Sequence, residues 1–325
     1  MQLEQKKRSP KNKTLILTAD ERTFYKKRLV YPTGFSDEQG GETCGFFPLK
    51  SILNKTLCAD LLSTVDNLPP ECADLLFIDP PYNLDKDFHG FKFSKSTDDG
   101  YTAYLESWFP RLLKTLKPTG SVYICGDWKS SSCLYAVMKK YTVVRNRIIW
   151  QREKGRGARA NWKNACEDIW FGTIGEDYYF DADAVKQKRR VLAPYRENGK
   201  PKDWEQTEDG DFRLTCAGNF WDDISVPYWS MAENTDHPTQ KPEKLLAKLI
   251  LASCPEGGLV LDPFLGSGTS SVTAKKLGRN YIGIEMNEEY CCWAEKRLAL
   301  AETDKTIQGY SDGIFWERNT LHARK

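Results

Sequence analysis

The chain of 325 residues is long enough for one large or two modest domains. With 28% charged and 40% hydrophobic residues it has an ordinary globular composition. Without a run of about eighteen apolar residues or a charged-then-apolar leader, neither a membrane span nor a secretory signal is expected, and the net charge of +2 marks no strongly basic or acidic chain as a whole.

The opening MQLEQKKRSPKNK is polar and basic and reads as a flexible arm. ADLLFID at 73–79 is a short apolar run ending in an acid and two prolines, the pattern of a buried strand. Tyr101, Tyr104, Leu105, Trp108, Phe109 and Leu112 recur at helical spacing, and Pro110 within them predicts a kink or two shorter helices. KPTG followed by SVYICG at 121–126 reads as a turn and a strand, and RNRIIW at 145–150 as another strand. Residues 151–163, rich in Gly, Arg and Lys, read as a loop, and 175–236 lack periodicity, as an irregular insertion would. Pro242 then opens a helix that carries Leu245, Leu246, Leu249 and Ile250 on one face. GGLVLD at 257–262 is a strand, FLGSGT a loop, SSVTAKKL a helix, NYIGIEMN at 280–287 a strand and EEYCCWAEKRLALAE the closing helix. This alternation predicts an α/β fold with a mostly parallel sheet covered on both faces.

Charge is segregated along the chain. Arg145 to Lys163 holds seven basic residues against the single acid Glu153, interleaved with Trp150, Trp162 and two glycines, a composition suited to a phosphate backbone. Ten cysteines without a CxxC pair, and only three histidines, predict reduced thiols in a cytoplasmic protein and no metal site.

Two motifs carry chemistry. In FIDPPYNLD, Pro80 and Pro81 donate no N–H and stiffen the chain, so a carboxylate, a free carbonyl and an aromatic ring are held together at a strand end. In LDPFLGSGT, glycines stand where a strand hands over to a helix, whose N-terminus offers unpaired N–H groups. Glu285 ends the next strand 23 residues beyond Asp262, the spacing of a carboxylate that hydrogen-bonds ribose hydroxyls. With Gly266-x-Gly268 and no third glycine, the ligand read from the loop is an adenosine with a carboxylate tail, the form of S-adenosylmethionine.

DPPY at 79–82, HPTQKP at 237–242 and DPFLGSGT at 262–269 together resemble the β subclass of amino-group DNA methyltransferases, with the catalytic motif first and the glycine loop last. The resemblance covers roughly residues 55–180 and 235–300. It implies a Rossmann-like methyltransferase fold, circularly permuted, with a mostly parallel seven-stranded sheet and a target-recognition insertion. It divides the chain into an N-terminal extension (1–50), a catalytic half (51–174), a target-recognition region (175–236), a cofactor-binding half (237–302) and a C-terminal tail (303–325).

For the site, the resemblance implies that Asp79 and Pro80 accept the two N–H bonds of an exocyclic amine, with Pro81 stiffening the turn and Tyr82 stacking on the base. The cofactor S-adenosylmethionine would be held by Asp60, Asp79, Asp262, Phe264, Gly266, Gly268 and Thr269, with Glu285 on the ribose and His237, Thr239 and Lys241 at the methionine end. Asn83 would touch the flipped nucleotide, and Arg152, Lys154, Arg156, Arg159 and Lys163 would track phosphates. The partner implied is double-stranded DNA, with a restriction endonuclease and a homodimer left open and no membrane. The activity implied is transfer to adenine N6 in a prokaryotic or phage restriction-modification setting. Cytosine N4 is the rival, although that branch tends to carry serine at position 79. A non-catalytic DNA-binding subunit is disfavoured by the intact motifs, and a nicotinamide oxidoreductase by the missing third glycine. One departure is KPTG at 117–120, where the family usually has KPGG.

Overall fold

The computed structural model describes residues 9–32, 45–88, 91–152, 160–191, 195–207 and 210–317. Its centre is a sheet of eight strands: β1 (Lys55–Cys58), β2 (Ala73–Ile78), β3 (Leu116–Gly126), β4 (Val143–Gln151), β5 (Cys166–Thr173), β6 (Phe220–Trp221), β7 (Leu259–Asp262) and β8 (Asn280–Glu285). Their spatial order is β1-β8-β7-β2-β3-β5-β4-β6. All pairings are parallel except those of β5, which runs against both β3 and β4. The expected seven strands are therefore present, with the two-residue β6 added at one edge. Every residue of β2 is buried, as a strand covered on both faces requires.

Alternate residues of the strands feed two cores. Leu76, Ile78, Val122 and Ile124 face Trp108, Phe109 and Leu112 of helix α2 (Asp98–Leu113, after α1 at Ala19–Lys26) and Leu134 of α3 (Ser131–Tyr141). Leu75, Phe77, Tyr123 and Val260 face Leu245, Leu246, Leu249 and Ile250 of α4 (Glu243–Ser253). Helices α5 (Thr269–Lys276) and α6 (Glu288–Leu300) follow β7 and β8. Among the described residues no helix is long and apolar enough to cross a membrane.

Three local expectations change. Helix α2 runs through Pro110 without breaking, with the proline in its last turn. There it deprives only the Glu106 carbonyl of a backbone donor, and the Arg111 guanidinium supplies a bond to the neighbouring Ser107 carbonyl. The KPTG turn belongs to β3, as a bulge where the pairing shifts between Ala73 and Leu75. Helix α4 is buried on all sides, not along one face. Its Lys244 and Lys248 both pair with Asp223, and its Glu243 with Lys276 and Arg297, so these three buried charges of the helix are all paired.

The segment 175–236 is more regular than its sequence suggested. Gln187–Arg190, Glu205–Thr207 and Gly210–Thr215 join Tyr310–Ser311 and Ile314–Trp316 in a separate five-stranded sheet. The C-terminal stretch thus adds strands, and Lys244 Nζ donates to the Trp316 carbonyl. At the other end, residues 1–8 of the expected flexible arm lie outside the described residues. Lys13, within its remainder, donates its backbone N–H to Trp229. Beyond it α1, closed by a Thr18/Glu21 capping box, pairs with α6 through Arg22–Glu289, Lys26–Glu288 and Glu21–Lys296.

Candidate active site

The parallel strands β7, β2 and β3 end at one edge of the sheet, the edge where open α/β sheets bind ligands. A cleft of about 330 Å³ opens there, between the Asp79–Tyr82 turn after β2 and the glycine loop after β7. Phe93, Tyr104, Trp108 and Phe264 build an aromatic wall, with Phe264 edge-on to Trp108 at 5.2 Å between ring centres. Asp60 enters the cleft from the end of β1, at the N-cap of the short helix Leu61–Thr64.

The glycine loop is shaped by two left-handed glycines that do different things. Gly266, at φ +54°, lines the cleft and donates its N–H to Glu285 Oε2 at 2.9 Å. A Cβ there would lie 3.0 Å from His237 Nε2. Gly268, at φ +88°, is the N-cap of α5, where a Cβ would lie 2.5 Å from the Cβ of Ala294 on α6. Its bareness lets the helix pack. Asp262 is equally internal: Oδ1 accepts the Phe264 N–H at 2.9 Å and Oδ2 the Ser270 hydroxyl at 2.5 Å. Burial pushes this carboxyl up to about 7, against those two bonds. Thr269 accepts from Arg297 Nη1 at 3.0 Å. Asp262, Gly268 and Thr269 therefore hold the loop and stand outside the lining of the cleft, whereas Phe264, Gly266, Glu285, His237 and Thr239 are in it. Glu285 also accepts the Asn287 N–H at 2.8 Å, and burial raises its pKa against these backbone bonds.

At the Asp79 side the structure assembles an ionic network. Lys241 Nζ lies 2.5 Å from Asp79 Oδ2 and 3.4 Å from Glu167 Oε2. The Tyr82 hydroxyl lies 2.9 Å from Asp79 Oδ1 and 3.2 Å from Glu167 Oε2, so one proton is shared between two carboxylates. The same oxygen accepts from Lys241 Nζ at 3.2 Å. Arg152 Nη1 closes the network on Glu167 Oε1. Burial alone would drive Lys241 down, yet Asp79 and Glu167 outweigh it and hold the ammonium above its usual range. Burial would likewise raise Glu167, but Lys241 and Arg152 keep it below the usual carboxylate range. Burial, reinforced by the two neighbouring carboxylates, lifts the Tyr82 phenol well above 10.

Several residues singled out from sequence sit elsewhere than expected. Asn83 is 5% exposed and its amide is spent on Ser96, accepting the backbone N–H at 2.8 Å and donating to the carbonyl at 3.0 Å. It pins the DPPY turn to that residue. Arg152 turns inward to Glu167, a carboxylate 2% exposed, and adds a second cation to the one that Lys241 supplies. Tyr82, expected to stack on the base, lines the cleft and directs its hydroxyl into the same network. Lys163 is exposed, while Lys154, Arg156 and Arg159 lie outside the described residues. Sequence reasoning missed Glu167 altogether. Its signal was CEDIW, two acids opening a strand that is otherwise apolar: Glu167 faces Lys241, and Asp168, on the opposite face, pairs with Arg147 at 3.1 Å.

Residues 73–296 match the N6/N4 DNA methylase family. The chain is 34% identical over 249 residues to the DNA adenine methyltransferase YhdJ of Escherichia coli K12, covering 74% of this chain and 81% of the relative. It is 32% identical over 252 residues to the Type II methyltransferase M.HpaI of Haemophilus parainfluenzae, covering 75% and 74%. Among solved structures, the cytosine-N4-specific PvuII DNA methyltransferase superposes with a TM-score of 0.56 at 18% identity, over 78% of this chain and 88% of that one. A DNA modification methylase of Thermus thermophilus, described as putative and solved with S-adenosyl-L-methionine, gives 0.50 at 19% identity, over 81% and 98%. These two likenesses speak for the fold. The family match spans most of the chain and includes both the DPPY turn and the glycine loop, so the chain belongs to the N6/N4 DNA methylases.

Proposed function

We propose that this enzyme transfers a methyl group from S-adenosylmethionine to N6 of an adenine turned out of duplex DNA. The observation that carries the reading is the shared cleft, in which Asp79 and the glycine loop with Glu285 face one space. The residues present suit the cofactor. Gly266 leaves backbone room that a Cβ would fill, and Glu285 offers a carboxylate fixed by two backbone N–H groups for the ribose. The aromatic wall suits the adenine ring, and His237 and Thr239, in the same lining, suit the methionine portion. When bound, the cofactor supplies an electrophilic methyl group: a nitrogen–carbon bond forms as the carbon–sulfur bond breaks, with the electron pair left on sulfur.

An exocyclic amine is a poor nucleophile because its lone pair is delocalised into the ring. Acceptors at the Asp79 carboxylate and the Pro80 carbonyl take its N–H groups and favour a pyramidal nitrogen with a localised lone pair. The contribution of the protein is position and electrostatics. A base inside a duplex cannot reach this edge, so the target must leave the stack. Lys163 and the basic stretch around it serve phosphate contacts, and the small sheet built on 187–190 and 205–215 is the proposed target-recognition unit. The Type II name of the Haemophilus relative supports a restriction endonuclease as functional companion in a bacterial cytoplasm.

The test is to incubate the protein with duplex DNA and labelled S-adenosylmethionine, digest to nucleosides and identify the modified base. N6-methyladenine is expected. N4-methylcytosine, or no modified base across a sequence-diverse substrate, overturns the reading.

A further inference from the structure

Glu167 is a buried acid without a part in the chemistry above. Strand β5 runs against its neighbours, so its first residues arrive at the edge where β3 and β4 end: Asp168 is level with Gly126, and Cys166 with Gln151. That topology brings a carboxylate from the middle of the sheet to the back of the Asp79 turn, although 88 residues separate them in sequence (167 − 79). Glu167 is 2% exposed and meets Lys241, Tyr82 and Arg152 at once.

Resting on the proposed function, we infer that Glu167 is the positioning residue of the methyl-transfer site: it anchors the Lys241 ammonium beside Asp79 and balances the charge there. Lys241 presses on one oxygen of the carboxylate that must receive the target amine. With Asp79 as its sole anion, the ammonium would cancel the field of that carboxylate. A second carboxylate at 3.4 Å gives the ammonium another anchor, and the Tyr82 hydroxyl spans the two. Asp79 and Glu167 against Lys241 and Arg152 sum to no net charge. The attacking nitrogen becomes cationic as it takes the methyl group from sulfur, which keeps the electron pair, and stays so until its proton passes to the Asp79 carboxylate that accepts its N–H. Loss of the Glu167 charge would leave the surroundings of that nitrogen net positive, in a place where water does not screen.

The charged and titratable groups facing Lys241 are Asp79 and Tyr82 from the turn after β2, Cys125 from β3 and Glu167 from β5, with Arg152 behind the last. Cys125 is a buried thiol that burial keeps neutral. Two variants separate charge from shape. Glu167→Gln keeps the size and removes the charge; Glu167→Asp keeps the charge and shortens the arm. Single-turnover methyl transfer at saturating cofactor should fall at least tenfold in Glu167→Gln, and less in Glu167→Asp. In parallel, the Lys241 side chain is titrated by NMR in protein labelled at lysine Cε, its signal identified by its loss in Lys241→Met. It should titrate at lower pH in Glu167→Gln than in the wild type. Should Glu167→Gln fail to fold with Arg152 left unpaired, the double variant Arg152→Met/Glu167→Gln removes the ion pair whole, and Lys241 must still titrate below the wild type. A Glu167→Gln rate equal to or above that of Glu167→Asp overturns the inference, as does an unmoved Lys241 titration. The titration needs no methyl transfer, so it stands apart from any failure of the functional reading, which the wild-type product analysis tests separately.

Discussion

Exchanging each loop glycine for alanine should produce two different defects. At Gly268 the new methyl would sit 2.5 Å from the Cβ and 2.8 Å from the Cα of Ala294. Ordinary contact begins near 3.4 Å, so α5 and α6 must move apart where they pack. Overpacking of this kind costs about 1–3 kcal/mol. The left-handed backbone, at φ +88°, adds roughly 1–2 kcal/mol for any residue with a Cβ. The total of about 2–5 kcal/mol corresponds to a melting temperature lower by roughly 4–10 °C, at about 2 °C per kcal/mol for a chain of this size. At Gly266 the methyl meets the edge of the His237 ring at 3.0 Å, a side chain that can give way, and it protrudes at the cleft. Gly266→Ala carries the same left-handed cost of roughly 1–2 kcal/mol without the overpacking, so it should melt closer to the wild type than Gly268→Ala and lose cofactor affinity about tenfold, or about 1.4 kcal/mol. Differential scanning fluorimetry without ligand and calorimetric titration with S-adenosylmethionine measure the two effects. If Gly268→Ala melts with the wild type, or loses more cofactor affinity than Gly266→Ala, the division between packing glycine and cleft glycine is wrong.

Asp79→Ala should lower single-turnover methylation by more than about a hundredfold, by analogy with the removal of preorganised groups from other sites, while cofactor affinity stays within a few fold. Near-normal turnover would return the proline motif to the status of a structural turn. Asp262 gives a pH signature: its folded pKa of about 7 lies above the ordinary value of 3.8, so its own contribution to stability falls as pH rises from about 4 to about 7. Asp262→Asn keeps the acceptor for the Phe264 N–H without the buried charge, so its melting temperature should change less over that window, a difference of order a few kcal/mol. Parallel curves for the two proteins would show that Asp262 does not titrate there.

The sequence by itself determined the elements that recur in one dimension. The unbroken apolar run of β2, the helix after Pro242 and the strand-loop-helix at 257–276 are dictated by local hydrophobic patterning and glycine and proline chemistry, and they appear where the patterning put them. The DPPY turn and the glycine loop were legible for the same reason, since each is a contiguous stretch whose backbone constraints are local. Their order placed both at one sheet edge through the permuted family resemblance.

What only the tertiary structure decided depends on partners distant in sequence. Asn83 and Ser96 meet at the base of the antiparallel pair Lys86–Phe88 and Phe91–Phe93, Gly268 and Ala294 across two helices, and Lys241 stands between Asp79 and Glu167. A motif cannot reveal whether a conspicuous polar residue faces a ligand or a neighbour, because burial is a property of the assembled layers. So Asp262 and Thr269 hold a loop, Arg152 serves Glu167, and α4 is encased on every side, its lysines matched by Asp223. Glu167 is the sharpest case. Its one antiparallel strand delivers a carboxylate to an edge otherwise formed by the ends of parallel strands, and no local pattern states which way a strand will run.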